Sequence, residues 1–333
     1  MRCLSAHPVF WLIPLCLSPS GGYTGGVDEL RVVCARLPGN ELVAAECKAL
    51  TGGVPDAEGM AVSRTLDLIP RAAFLTQGAR CLAEAYSLEE LCAQVAALPQ
   101  AADRFRVEYL SLWPEHPLPK PQVVLAVANA IQAYPDLTNP QHRFLVAAQA
   151  DRLWFGEILA EPVRDYRAHD AKPYRTSSSL PARLARALVN LVAPPAQSIL
   201  DPFCGTGSIL LEACALGLHC YGMDNNIKMR GMSRRNLAHF GYAAKVELGN
   251  AQECTQTADA IVTDLPYGRL LEQNRADLRQ VLQHTVGIAP QAVYLAEEDI
   301  TPWLVDAGYR RVVCYRVRKH HTMSRFVHHT WIE

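Results

Sequence analysis

The segment that most constrains this chain is Ser198-Ile199-Leu200 followed by Asp201-Pro202-Phe203-Cys204-Gly205-Thr206-Gly207-Ser208. A short apolar run precedes it. A helical one, Ile209 to Leu216, follows and stops at Gly217. This is a strand, a glycine turn and a helix. Gly205 and Gly207 have no Cβ, so the backbone can turn tightly there and a ligand can approach it closely. A helix starting near Ser208 aims unpaired N–H groups at whatever lies on the turn.

The order of the next strand ends narrows the reading. His219 to Met223 reads as a second strand and ends in Asp224, followed by Asn225. An acid roughly 20 residues past the glycines is where a nucleoside ribose is gripped through its hydroxyls. Lys245 to Gly249 then leads to Asn250-Ala251, and Ala260 to Thr263 leads to Asp264-Leu265-Pro266-Tyr267-Gly268. The missing third glycine argues against a nicotinamide dinucleotide.

Asp264-Leu265-Pro266-Tyr267 suits a flat base that carries an amine. The lone pair of an aromatic amine is delocalised into the ring, so the amine becomes nucleophilic only when both N–H groups are drawn into hydrogen bonds. The Asp264 carboxylate and the Leu265 carbonyl are candidate acceptors. Pro266 would fix the turn, and Tyr267 would stack on the base. An ionised acid can also take up the proton that is released.

Together these motifs resemble a class I S-adenosylmethionine-dependent methyltransferase acting on an exocyclic amine of a nucleobase. The resemblance implies that S-adenosyl-L-methionine is held by Asp201, Phe203, Cys204, Gly205, Gly207, Asp224, Asn225, Asn250, Ala251 and Asp264. Asn250-Ala251 is the place where this fold usually meets the adenine ring. Many amino-methyltransferases have proline where this chain has Leu265.

At 333 residues, half of them hydrophobic, the chain can bury two cores. The net charge of −1 gives no global pull toward nucleic acid. From Arg310 to Glu333, however, six Lys/Arg and four His face one acid, a candidate phosphate-facing stripe or a solvated hairpin. Eleven cysteines without a C-x-x-C spacing read as reduced thiols, neither a disulfide framework nor a zinc site. His320, His321, His328 and His329 invite a metal reading, but neighbours on a strand point to opposite faces, so no metal is expected from these pairs. Val9 to Leu17 is apolar but too short to span a membrane, and Pro14 interrupts it. Residues 1–26 are therefore read as a poorly structured or mis-started extension, and the protein as cytoplasmic.

The first half alternates strands and helices. Leu30 to Ala35 and Thr65 to Phe74 read as strands, and Glu41 to Leu50 as a helix ending at Gly52-Gly53. Ser87 to Leu98 is a helix in which Ser87 and Glu90 have capping-box spacing. Phe105 to Leu110 is a strand and Lys120 to Ala133 a helix. Asp136-Leu137-Thr138-Asn139-Pro140 is a turn before a hairpin of Phe144 to Ala148 and Trp154 to Leu159. Beyond Asp264, Arg275 to Val286 reads as a helix and Ala292 to Ala296 as a strand. Tyr309 to Arg318 and Phe326 to Ile332 form a closing hairpin.

The Asp136 turn with its flanking elements looks like the end of a THUMP domain, an RNA-binding module. Lys172-Pro173-Tyr174-Arg175-Thr176 and the helical run Leu180 to Leu188 look like the pre-catalytic segment of the THUMP-containing tRNA guanine-N2 methyltransferases, of the kind that act on guanosine 10. That resemblance implies an α/β chain in three parts. Residues 1–26 are the extension. Residues 27–160 form a smaller α+β region ending in a THUMP-like module. Residues 161–333 form a Rossmann-like domain with a mostly parallel seven-stranded sheet and a terminal antiparallel hairpin. It implies tRNA as the partner, no membrane, and Arg175 and Thr176 at the methyl donor or the RNA. The rival readings are a DNA or ribosomal RNA amino-methyltransferase and a non-catalytic RNA-binding scaffold.

Overall fold

The computed structural model describes residues 29–99, 104–113, 118–266, 272–320 and 323–333. The extension expected at 1–26 lies outside them.

The first sheet holds β1 (Leu30–Cys34), β2 (Met60–Ser63), β3 (Leu75–Ala85), β4 (Arg104–Ser111), β5 (Tyr134–Pro135), β6 (His142–Ala148) and β7 (Leu153–Ala160). Their spatial order is β2-β1-β3-β7-β6-β4-β5. β4 runs parallel to β5 and β6, and the other pairs are antiparallel. Helices α1 (Leu42–Thr51), α2 (Leu88–Ala97) and α3 (Lys120–Ala130) accompany it. Gly52 ends α1 in the left-handed region, at φ +75°. The Ser87 hydroxyl caps α2 by accepting from the Glu90 amide at 3.1 Å. Glu90 reaches back to the amide of Tyr86 at 3.0 Å, one residue before the cap.

The strand expected from Thr65 to Phe74 does not form. That stretch is a loop with a 3-10 turn at Ile69–Arg71. Pro70 sits in the turn and has no N–H to give to a ladder. The segment is apolar because Leu66, Ile69, Ala72, Ala73 and Phe74 are buried between the two halves of the chain. The actual strand, β3, starts at Leu75.

The second sheet holds β8 (Ser198–Asp201), β9 (His219–Asp224), β10 (Lys245–Leu248), β11 (Ala260–Asp264), β12 (Gln291–Ala296), β13 (Arg311–His320) and β14 (Met323–Trp331), in the order β10-β9-β8-β11-β12-β14-β13. The first five are parallel, and the closing hairpin is antiparallel. Helices α4 (Ala182–Val192), α5 (Ser208–Ala215), α6 (Ile227–His239), α7 (Glu272–Thr285) and α8 (Thr301–Ala307) belong to it. β8, β11 and β12 are covered on both faces, so they carry unbroken apolar runs.

One hydrophobic core spans both sheets. Val32, Leu42, Leu50 and Leu75 share it with Leu188, Leu191, Ile199 and Val293. Polar pins cross the same joint. Glu46 on α1 is fully buried; it accepts from the amides of Ala73 and Phe74 at 2.8 and 2.6 Å and from Asn190 Nδ2 on α4 at 2.6 Å. Burial pushes the Glu46 carboxyl above its ordinary range, and those three hydrogen bonds oppose the rise. Arg71 Nε donates to Asn190 Oδ1 at 2.9 Å. At the far edge, Glu41 and Arg316 exchange two bonds, at 3.0 and 2.9 Å.

Candidate active site

β8 delivers Asp201 to the glycine turn, and α5 leaves it at Ser208. Gly205 and Gly207 have φ of +52° and +84°, which disfavours any side chain. Their uses differ. A Cβ on Gly205 would meet nothing closer than the Phe203 carbonyl at 4.0 Å, so this backbone faces open space. A Cβ on Gly207 would lie 2.5 Å from Ser233 Oγ on α6, so this residue permits close helix packing. Gly205 N–H donates to Asp224 Oδ2 at 2.9 Å, and the Asn226 amide donates to Asp224 Oδ1 at 2.8 Å. The acid at the end of β9 is thus held beside the turn.

A cleft of about 560 Å³ opens at these strand ends. Asp201, Phe203, Cys204, Gly205, Asp224 and Asn225 line one part of it. Asp264, Leu265 and Pro266 line another, and Thr176 closes it from the pre-catalytic segment. That segment is tied down. Asn236 on α6 accepts from the Tyr174 amide at 3.0 Å and donates to the Tyr174 and Thr206 carbonyls, both at 2.8 Å. Ser179 Oγ meets Thr206 Oγ1 at 3.1 Å, and buried Lys172 donates to Ser208 Oγ at 2.9 Å.

Asp201 is buried and accepts from Thr263 Oγ1 at 2.6 Å and the Phe203 amide at 3.2 Å. Burial pushes its carboxyl up to about 7 despite those bonds. Asp264 ends β11, and the Leu265 amide donates to the Leu295 carbonyl at 3.0 Å, fixing the turn against β12. Arg325 of β14, itself buried, places Nη1 3.7 Å from Asp264 Oδ2.

Not every expected residue comes to the cleft. Gly207 supports the turn from behind. Asn250 and Ala251 lie outside the lining; the Asn250 side chain accepts from the Gln252 amide at 3.3 Å, and Ala251 is buried. Arg175 is exposed and donates to the Asp170 carbonyl at 3.3 Å, while its neighbour Thr176 is at the cleft. Tyr267 falls outside the described residues. Sequence reading missed Ser178, Ser179, Asn226, Met229 and Arg325. The run of three serines after Thr176 was the available signal for the first two. Arg325 had none, because only the antiparallel insertion of β14 beside β12 brings it to Asp264.

The C-terminal stripe is partly spent inside the protein. Arg325 is buried, Arg316 Nε donates to Ser324 Oγ at 3.0 Å, and Arg311 stacks over Trp331 at 4.3 Å. His328 and His329 point to opposite sides. The first meets Asp299 at 3.0 Å and the second Gln291 at 3.4 Å. His321 lies outside the described residues. Among the described residues, no helix is long and apolar enough to cross a membrane.

A parallel sheet with an antiparallel terminal hairpin, its cleft at the glycine turn and the strand ends, is the fold of class I methyltransferases. Residues 169–291 match the family model described as "RMKL-like, methyltransferase domain". The chain is 32% identical over 192 residues to the tRNA (guanine(10)-N2)-dimethyltransferase of Pyrococcus abyssi, covering 53% of this chain and 57% of that protein. It is 42% identical over 115 residues to the enzyme of the same name from Methanothermobacter thermautotrophicus, covering 33% and 34%. The chain thus spans between a third and three fifths of these relatives' length. The crystal structure of TrmN from Thermus thermophilus shares the fold with a TM-score of 0.52, at 22% identity, over 91% of this chain and 99% of that one.

Proposed function

We propose that the protein transfers a methyl group from S-adenosyl-L-methionine to the exocyclic N2 amine of a guanosine in tRNA. The observation that carries this is the single cleft that joins Asp201, Gly205 and Asp224 to Asp264, Leu265 and Pro266. The residues fit such a donor. The space above Gly205 is where a Cβ would intrude, and Asp224 retains acceptor capacity for two ribose hydroxyls beyond the two amides it binds. When bound, the donor supplies an electrophilic methyl on a sulfonium. Asp224 would hold its ribose, Phe203, Cys204 and Asn225 would line its bed with Thr176, and Asp201 would face its positive charge.

Asp264 and the Leu265 carbonyl would accept from the guanine amine and turn its lone pair outward. Tyr267 would stack on the base. The Asp264 carboxylate would take up the amine proton after transfer. Arg325 would keep that carboxylate aligned. Positioning supplies most of the rate, since the step is an in-line displacement. The base must leave its stack to reach Asp264, at a cost of a few kcal/mol.

In this reading residues 161–333 are catalytic and residues 27–160 end in a THUMP-like module that would hold folded tRNA by shape, sugar hydroxyls and phosphates. The names of the relatives and the turn at Asp136, whose carboxylate accepts from the amides of Thr138 and Asn139 at 2.9 Å, support it. Donor and tRNA both belong to the cell interior, which makes the protein cytoplasmic.

The test is mass spectrometry of nucleosides from unmodified tRNA incubated with the protein and isotope-labelled donor. N2-methylated guanosine is expected, and Asp264→Ala should abolish it while leaving donor affinity unchanged in calorimetry. A methyl on ribose or a ring carbon overturns the reading. So does preferred methylation of ribosomal RNA fragments or duplex DNA. Absence of donor binding would make the protein a scaffold.

A further inference from the structure

On the second sheet, away from the cleft lining, three different donor atoms converge. They are Asp299 Oδ1 in the turn after β12, Cys314 Sγ on β13 and His328 Nε2 on β14, and all lie within 4.8 Å of one another. His328 Nε2 is 3.0 Å from Asp299 Oδ1 and 3.4 Å from Cys314 Sγ. Cys314 and His328 are cross-strand partners, so the pleat sends both side chains to the same face. The Thr301 amide donates to Asp299 Oδ1 at 2.9 Å, and the Thr301 hydroxyl is buried.

We propose that Asp299, Cys314 and His328 form a binding site for a borderline-soft divalent cation of the zinc type, with a water held beside Thr301 in the fourth position. Around tetrahedral zinc, bonds of about 2.0–2.3 Å to N, O and S place neighbouring donors about 3.3–3.6 Å apart. The separations from His328 Nε2, 3.0 and 3.4 Å, are within a few tenths of an ångström of that range. The donor set of thiolate, imidazole and carboxylate is one that zinc accepts and that magnesium or calcium does not.

The arrangement differs from a hydrogen-bonded catalytic relay. In a relay the acid holds one ring nitrogen and the nucleophile the other. Here the acid and the thiol crowd the same nitrogen. The Ile300 amide donates to the same Nε2, at 3.2 Å, so that nitrogen carries no proton, and an ion at the cluster would take over the lone pair that this amide holds. A lone pair 3.0 Å from a carboxylate oxygen calls for a cation between them, and the His328 ring is fully buried with no freedom to turn away. Asp299 is half exposed and offers the route in. On binding, the thiol gives its proton to solvent and the sulfur coordinates as thiolate. An ion there would clamp the start of α8 to the closing hairpin, three residues along β14 from Arg325.

The test uses the full-length, untagged protein, stripped with a chelator and titrated with Zn²⁺ alone or with Co²⁺ as the spectroscopic probe. One equivalent should bind, with a sulfur-to-cobalt charge-transfer band and the visible bands of a tetrahedral ion. Cys314→Ser should remove the charge-transfer band, and Asp299→Asn should weaken Zn²⁺ binding by at least about tenfold. Because His328 is buried and its replacement can prevent folding, these two variants decide the matter. Zn²⁺ should also raise the unfolding temperature of the wild type and not that of Cys314→Ser. Failure of micromolar Zn²⁺ to bind the stripped protein overturns the proposal. Wild-type binding by both variants does so too, since other thiols would then be the ligands.

Discussion

Replacing Gly207 by Ala isolates what the glycine turn does for the fold from what it does for a ligand. The residue has φ +84°, and a Cβ there would stand 2.5 Å from Ser233 Oγ and 3.3 Å from Ser233 Cβ. The left-handed backbone costs a non-glycine residue about 1–2 kcal/mol. Ser233 is fully buried and cannot rotate into solvent, so the overlap adds the penalty of an overpacked core, about 1–3 kcal/mol. The expected loss is about 2–5 kcal/mol, read as a lower urea midpoint. The two parts separate in a double-mutant cycle. Ser233→Ala removes the atom at 2.5 Å and should be nearly neutral alone. Combined with Gly207→Ala it should recover the overlap part and leave the backbone part. Gly205→Ala pays only the backbone cost, yet it should weaken donor binding more, because its methyl enters the cleft. The reasoning is refuted if Gly207→Ala is neutral, or if Ser233→Ala restores nothing.

Three further outcomes are expected. Asp201 titrates near 7 when folded against an ordinary 3.8, so the folded state holds an extra proton between those values. Stability of the ligand-free protein should therefore fall by a few kcal/mol as pH rises through that window and level off above it. Asp201→Asn should flatten that slope, and calorimetry on the wild type should show affinity for the cationic donor rising about tenfold from pH 6 to pH 8 as the carboxylate ionises. Asn190→Ala leaves buried Glu46 without one of its three partners and should cost about 1–3 kcal/mol in thermal unfolding, with faster proteolysis between residues 161 and 181. Affinity of the full chain for tRNA should fall linearly on a logarithmic plot against salt. A flat plot would remove the phosphate-contact reading of the RNA-holding half.

The second sheet was legible because parallel, doubly covered strands leave a plain trace: apolar runs stopped by an acid or a glycine, at Asp201, Asp224 and Asp264. β3 was not, since Thr76, Gln77, Arg80 and Glu84 make a central antiparallel strand look polar. Its charged side chains find partners on neighbouring strands instead, as Arg80 does with Glu157 at 2.8 Å and Glu84 with Arg31 at 2.7 Å. The stretch 65–74 carried the opposite illusion, an apolar loop buried at a joint. The candidate cleft was readable where local turn chemistry builds it. Arg325, and the convergence of Asp299 with Cys314 and His328, depend on which strands become neighbours at the end of the chain, and no local pattern encodes that.

The core shared by the two sheets makes the molecule a caliper. With α1 packed on α4 and Glu46 pinned to Asn190, the half proposed to grip RNA holds a fixed reach and angle to Asp264. On the proposed function, a guanosine would then be chosen by its distance from the gripped part of the tRNA, with no need to read the letters around it. Retargeting such an enzyme to another position would mean resetting the jaws at the α1–α4 seam, while the chemistry at Asp264 stayed untouched.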